Sequence, residues 1–233
     1  MAKLALTLLG ILYSSTLISQ TQDYKEIYTK IDKELSIGNL NLEKGKIYIN
    51  KDINVKNNHR YLFSDATFTS NIKHNNQVYY NNNIKYDIYQ NILIANPSNQ
   101  SKRLFVELSK NEVESFTVLN KNFVLINLPD NENWYCEERL ISSSFSFYIK
   151  YQKKKKEIIS DNVIKPFYTE EISFFLKKEG KVSQIDSKKS IINIFPELKT
   201  EINDFYKMND HLIKEGKIKF MENLIFKIKS LLK

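Results

Sequence analysis

The run Asn75-Asn76-Gln77-Val78-Tyr79-Tyr80-Asn81-Asn82-Asn83-Ile84-Lys85-Tyr86-Asp87-Ile88-Tyr89 decides how the chain is read. Two segments rich in Val, Ile and Tyr, Gln77–Tyr80 and Ile84–Tyr89, are preceded and separated by asparagine. β-branched and aromatic residues suit a pleated, half-buried surface. Asparagine tolerates the left-handed backbone that hairpin turns require and bonds its own backbone. The chain has only five glycines in 233 residues, so its turns must be built from something else. Asn57-Asn58, Asn75-Asn76 and Asn81-Asn82-Asn83 are therefore read as turns rather than as a sugar-binding amide cluster. Alternation places Ile84, Tyr86 and Ile88 on one face, as core, and Lys85, Asp87 and Tyr89 on the other. Asp87 then faces solvent, meets a lysine of a neighbouring strand, or holds a turn.

The same pattern of short apolar runs and polar turns extends both ways from this stretch. Further strand candidates are Lys46–Asn50, Tyr61–Phe63, Ala66–Ser70, Ile92–Ala95, Arg103–Leu108, Ser115–Leu119, Phe123–Asn127, Trp134–Cys136, Phe145–Tyr151 and Glu171–Lys177. The lysine run Lys153–Lys156 reads as an exposed hairpin tip or loop, a solvated charge run that discourages edge-to-edge pairing. After Gly180 the period changes. Ser187 can cap a short helix through Phe195, and Pro196 suits the first turn of the next. Leu198, Ile202, Phe205 and Tyr206 share one face of that helix. In the last segment Ile218, Met221, Ile225, Ile228 and Leu232 recur at spacings of three and four. Its lysines make this helix basic and amphipathic, and packing of its apolar face is favoured over adsorption to a membrane. The fold class is α+β: mainly antiparallel β, as a sandwich or a partly open barrel, with a C-terminal helical appendage.

Before the strands, Met1-Ala2-Lys3 is followed by a charge-free apolar run from Leu4 to Ile18 and by small Ser19. This reads as a secretory signal peptide cut after Ser19, too short for a good membrane span. The organisation expected is thus a signal peptide at 1–19, an N-terminal lead-in at 20–45 with helical spacing at Tyr24, Ile27, Tyr28, Ile31 and Leu35, a β-rich domain at 46–185 and a helical tail at 186–233. The location implied is the periplasm or the outer-membrane periphery.

Charge is uneven. The net charge is +8, and from Lys150 to Lys233 there are 19 lysines against 12 acidic residues, with no arginine. Lysine without arginine argues against reading phosphate or base edges, where the planar bidentate fork matters. Nucleic acid is therefore not an expected partner. The charge of this basic C-terminal segment is compatible with weak contact with an anionic surface, lipid head groups or acidic polysaccharide. The single cysteine, Cys136, precludes an internal disulfide. Within Asn133-Trp134-Tyr135-Cys136 it reads as a buried, inert thiol.

Ile84-Lys85-Tyr86-Asp87-Ile88-Tyr89 with Ile92-Leu93-Ile94, the segment Val113-Glu114-Ser115-Phe116, and the tail Phe174-Phe175-Leu176-Lys177-Lys178-Glu179-Gly180-Lys181-Val182 with Ser187-Lys188-Lys189-Ser190-Ile191 together resemble a group of small exported proteins of Bacteroidota. That group has no assigned activity, so no catalytic residue is carried over. The resemblance implies a β-rich envelope protein with a helical tail. The glycines of the group's hairpin are replaced here by Asn71 and Asn76.

Chemistry is sparse in the sequence. The three histidines, His59, His74 and His211, lie in no metal-binding pattern. His59 and His74 could meet across strands, but two ligands without a third make no metal site. Glu137-Glu138 and Glu170-Glu171 are neighbours whose side chains point to opposite faces of a strand, so neither doublet is an acid/base pair. Ser70-Asn71-Ile72-Lys73 matches a nucleophile motif by letter alone, and no G-x-S-x-G or phosphate loop is present. No catalytic residue, cofactor or metal is therefore assigned. Tyr79, Tyr80, Tyr89, Trp134 and Tyr135 are the candidate ligand or partner surface, an aromatic platform for a glycan or peptide; core packing is their ordinary alternative. The function expected is a non-catalytic binding or structural module of the cell envelope, with another envelope protein or a glycan as partner. The competing readings are a hydrolase drawing carboxylates from separate strands and an outer-membrane-associated barrel.

Overall fold

The computed structural model describes residue 42, residues 45–50, 52 and 55, and residues 57–96, 105–160 and 162–232. The expected signal peptide and nearly all of the lead-in lie outside the described residues. The architecture is mainly antiparallel β with helices gathered at the C-terminal end, as the sequence predicts. The chain divides into two compact units. One comprises Met1–Lys51, Ser64–Tyr86 and Ile92–Phe116, the other Asp52–Phe63, Asp87–Asn91 and Thr117–Lys233. The boundaries fall within the strands Gln77–Asp87 and Val113–Val118.

In the first unit the hydrogen-bonded order is β1-β5-β4-β3-β2-β6. The strands are β1 (Lys46–Ile47), β2 (Phe68–His74), β3 (Gln77–Asp87, to Tyr86 in this unit), β4 (Ile92–Asn96), β5 (Val106–Glu107) and β6 (Val113–Val118, to Phe116 in this unit). Ile72, Ile84, Tyr86, Ile94 and Phe116 are its buried apolar side chains of note, with Tyr86 and Phe116 meeting edge to face at 5.2 Å. Gly45 is required by close approach: a Cβ there would lie 2.3 Å from the Glu107 carbonyl oxygen.

Asparagine does the turning, but not everywhere it was expected. Asn75 and Asn76 have φ of 49° and 62° and join β2 to β3 in a two-residue hairpin, as a type I′ turn requires. Asn71 is not among the residues of positive φ. Asn81-Asn82-Asn83 is no turn. β3 runs through it, and Asn81, at φ 57°, sits where the β2–β3 register slips between Ser70 and Ile72. The left-handed residue there makes a bulge within one long strand. Two strands expected from the sequence thereby become one.

In the second unit the order is β7-β8-β9-β10-β11: β7 (Lys121–Asn127), β8 (Asn133–Ile141), β9 (Ser146–Ser160), β10 (Val163–Lys178) and β11 (Lys181–Gln184). The expected strand at Tyr61–Phe63 reduces to a single bridge between Tyr61 and Asp87, because Phe63 adopts φ 55°. The largest difference concerns the lysine run. Lys153–Lys156 is neither tip nor loop but the middle of β9, paired residue by residue with Glu170, Thr169, Tyr168 and Phe167 of β10. Four identical residues carry no visible period, so alternation could not be read from them.

The tail forms α1 (Lys188–Ile194), a 3-10 turn (Pro196–Leu198), α2 (Lys199–Met208), α3 (Asp210–Glu215) and α4 (Lys217–Leu231). Ser187 caps α1 with a capping box completed by Ser190. Phe195, at the end of α1, packs edge to face on Phe145 at 5.2 Å. Met221, Ile225 and Ile228 of α4 are buried, and Phe220 meets Phe205 and Tyr206 of α2. The apolar face of the last helix is packed. No helix among the described residues is long and apolar enough to cross a membrane.

Candidate functional site

The densest chemistry in the second unit is an ion cluster halfway along the β9–β10 hairpin. Its centre is Asp87, fully buried, whose Oδ2 accepts from Arg60 Nε at 2.6 Å. Asp87 Oδ1 accepts from the backbone N–H groups of Tyr89 and Gln90 at 3.0 and 3.1 Å. Of the roles open to it from sequence, Asp87 therefore holds the turn at 87–91, and it does so against a buried guanidinium. Burial pushes its carboxyl above the usual carboxylate range, against the pull of Arg60 and the two N–H groups.

Asp52 continues the cluster. Its Oδ2 meets Arg60 Nη1 at 3.1 Å and the Tyr168 hydroxyl, and its Oδ1 meets Lys155 Nζ at 2.6 Å. Burial alone would raise this carboxyl. The hydrogen bonds from Lys155 and Tyr168, with the charges of Lys155 and Arg60, outweigh it and hold the group below the ordinary range. Lys153 donates to the carbonyls of His59 at 2.5 Å and Tyr61 at 2.9 Å. Burial lowers its pKa, with Glu170 and Asp87 opposing.

The alternation of β9 explains the lysine run. Lys153 and Lys155 point into the cluster, whereas Lys154 and Lys156 are exposed, Lys154 pairing with Glu171 at 2.8 Å. Asn58 completes the clamp. Its amide accepts from Tyr168 N at 2.7 Å and donates to Tyr168 O at 2.9 Å, occupying the free edge of β10 as a neighbouring strand would. His59, read from sequence as a weak metal candidate, instead accepts from the Tyr61 N–H at 3.2 Å. Arginine 60 and Asp52 were not singled out from the sequence. No spacing links them to Asp87 or to Lys155; only the fold does.

A second buried carboxylate, Glu137 on β8, is closed in the same manner. Lys121 and Arg139 reach its Oε1 at 2.8 and 3.0 Å, and the Tyr151 hydroxyl donates to Oε2 at 2.7 Å. Its neighbour Glu138 faces Asn122, so the doublet points two ways, as alternation requires. Cys136 is fully buried and burial raises its thiol to about 12, which makes it inert.

The aromatic platform is divided. In the first unit Tyr79 is buried edge to face on His74, and its neighbour Tyr80 is half-buried. In the second, Trp134 and Tyr135 are buried. Trp134 donates to the Tyr151 carbonyl at 3.2 Å and lies under the Lys150 ammonium at 3.9 Å. Tyr89 is the most exposed of the five, at 36 %. It packs edge to face on Tyr168 at 5.6 Å and carries the Arg60 guanidinium at 5.1 Å from its centroid. Tyr89 thus belongs to the ion cluster.

Two clefts lie among the described residues beside these groups. One of about 250 Å³ lies between β10–β11 and the tail helices, lined by Phe174, Ile185, Tyr206, Phe220 and Met221. The other, of about 260 Å³ in the first unit, is lined by Gly45, Glu107, Ser109, Glu112 and His74. His74 Nε2 stands 3.3 Å from Glu112. Among the described residues no three His, Cys, Asp or Glu side chains are grouped to hold a metal ion.

Fold and site together define a class: an antiparallel β protein with a helical tail and an internally compensated ion cluster halfway along a long hairpin. Comparison with protein-family models, with curated proteins and with solved structures found no match.

Proposed function

We propose that this chain is exported and serves in the cell envelope as a non-catalytic binding module. The observation that carries the reading is the closure of the ion cluster. Both oxygens of Asp87, and both of Glu137, are taken by groups of the fold itself. A general acid or nucleophile needs a carboxyl that reaches substrate; these two brace backbone and strands. The apolar leader Leu4–Ile18 supports export, and the resemblance to exported Bacteroidota proteins supports the envelope as its place. What the cluster accomplishes mechanically is to fix a two-stranded hairpin, a unit of marginal stability on its own, so that it can present side chains to a partner.

The test is chemical cross-linking in intact cells, followed by fractionation and mass spectrometry. Recovery of the chain joined to an envelope component is the expected result. Recovery solely as free monomer overturns the binding role. Release of product from a panel of glycan and ester substrates, abolished by Asp87→Asn without loss of fold, overturns the non-catalytic one.

A further inference from the structure

The edge of β10 that faces away from β9 is guarded on both sides of one opening. Alternation decides which backbone groups lie on that edge. Lys153 N donates to the Ile88 carbonyl at 3.0 Å, away from β10. Its strand partner Glu170 therefore turns its own N–H and C=O away from β9, and at steps of two so do Tyr168, Ile172 and Phe174. Pro166 falls in the same series and, having no N–H, offers no donor there. Asn58 holds both backbone groups of Tyr168 at 2.7 and 2.9 Å. Ile185 N donates to Phe174 O at 2.9 Å, and β11 covers the edge from Phe175 onward. Glu170 and Ile172 are left. On this edge their N–H and C=O groups carry no hydrogen bond among the described residues. Proline, covering groups and a neighbouring strand are the devices that keep an edge from pairing; here they stop on either side of the cleft of about 250 Å³. Ile172, Ser173 and Phe174 line that cleft, as do Ile185, Phe220 and Met221. The last three and Phe174 are buried, so its floor is apolar.

We propose that this opening takes an extended peptide segment of a partner protein as an added strand antiparallel to β10, with one apolar side chain in the cleft and a basic side chain two residues later opposite Glu170. It gives the binding role above the chemistry of its partner and rests on that reading. Three arguments select a peptide of this kind. The first is the backbone. Glu170 and Ile172 offer donor and acceptor together at strand spacing, and another extended chain offers the same pair at the same spacing. The open stretch from Thr169 to Ser173 is roughly 17 Å long, room for about five residues between Asn58 and Ile185. The second is the side chain opposite Ile172. Residues directly across an antiparallel pair share a face. That residue therefore lies on the face of Ile172 and Phe174, which line the cleft, and an apolar side chain there extends the buried floor. The third is charge. The next peptide residue on this face stands opposite Glu170, which is exposed and in no ion pair among the described residues. Lysine or arginine at that place completes an opposite-charge pair. An antiparallel segment runs from the Ile185 end toward Asn58, so the apolar residue precedes the basic one.

The test titrates the full chain into a fluorescein-labelled peptide, acetyl-Ser-Leu-Thr-Lys-Thr amide, and follows fluorescence anisotropy. Saturable binding is expected. Methylating the leucine nitrogen of the probe removes a donor to the β10 edge and should abolish binding. Alanine in place of that leucine should weaken it at least about tenfold, the worth of a buried leucine side chain. Ile172→Pro should weaken it by about as much, since it takes away one edge donor and part of the cleft wall. Proline is tolerated where the N–H faces off the sheet, and emission of buried Trp134, which donates to the Tyr151 carbonyl, reports that the fold is kept. Glu170→Lys should cost the lysine probe about fivefold and favour a probe with glutamate in its place. A probe that fails to bind, equal binding of the methylated and unmethylated probes, or indifference to both Ile172→Pro and Glu170→Lys overturns the proposal. So does a chain that sediments as a dimer and that Ile172→Pro makes monomeric, because a second copy then holds the edge. A chain that ignores the probe yet cross-links to an envelope component defeats this inference and leaves the binding role standing. A chain that takes the probe as expected but remains in the cytosol of cells does the reverse.

Discussion

Asp87 shows how a single residue type serves architecture. A buried carboxylate beside a buried guanidinium adds little net stability compared with an apolar pair, but removing one member leaves the other charged and uncompensated. Asp87→Asn should therefore destabilise the protein by about 3–5 kcal/mol, measured by urea unfolding. A loss under 1 kcal/mol would mean that Asp52, the other carboxylate on Arg60, is enough to compensate its charge. Asp52 makes a pH prediction. Its folded pKa is below the unfolded value, so its contribution is present above the unfolded carboxylate range and is lost as pH falls through the folded value. Asp52→Asn should cost stability at pH 7 and much less at pH 3. An equal loss at both would show that shape, not charge, is what Asp52 supplies. Holding a turn was one of three roles the sequence left open to Asp87, which sits on the polar side of a clear alternation; alternation alone does not choose among them. Arg60 was not legible, because its partnership depends on a chain crossing that no local pattern encodes.

At the scale of elements, the hairpins depend on residues in the left-handed region. The β6–β7 turn uses Leu119 and Asn120 at φ 49° and 62°, and Leu119 is 60 % exposed. A leucine there is strained by about 1–2 kcal/mol and packs little. Leu119→Asn should stabilise by roughly 1 kcal/mol, read as a raised thermal midpoint; a lowered one would place Leu119 in a contact that matters. Asn58 acts on a longer element. Asn58→Ala strips two hydrogen bonds from the backbone edge at Tyr168 and should cost about 1–3 kcal/mol. Amide exchange of Tyr168 should rise selectively. Uniform exchange across β10 would contradict an edge clamp. Strand content was readable here from Val, Ile and Tyr, and turns from asparagine. What was not readable was whether an asparagine at positive φ ends a strand, as at Asn76, or bulges one, as at Asn81. The residue's backbone freedom is the same in both, and only the partner strand's register separates them. The lysine run failed for a related reason: alternation needs contrast between neighbours, and Lys153–Lys156 has none.

For the whole molecule, the mixture of strands first and helices last followed from the change of hydrophobic period near Gly180, a signal spread over many residues and hence robust. The clefts and the ion cluster were invisible, since each is assembled from segments far apart in the chain; the length of the hairpin was hidden by the lysine run at its middle. The account joins the cluster and the hairpin into one argument: a closed charge cluster steadies a hairpin, and the hairpin presents side chains to a partner in the envelope. Cross-linking of intact cells with mass spectrometry of the recovered chain tests this most directly, because one spectrum reports both the N-terminus and the partner. The account predicts a chain beginning at Gln20 and joined to an envelope component. A chain beginning at Met1, unlinked and in the cytosolic fraction, would contradict it.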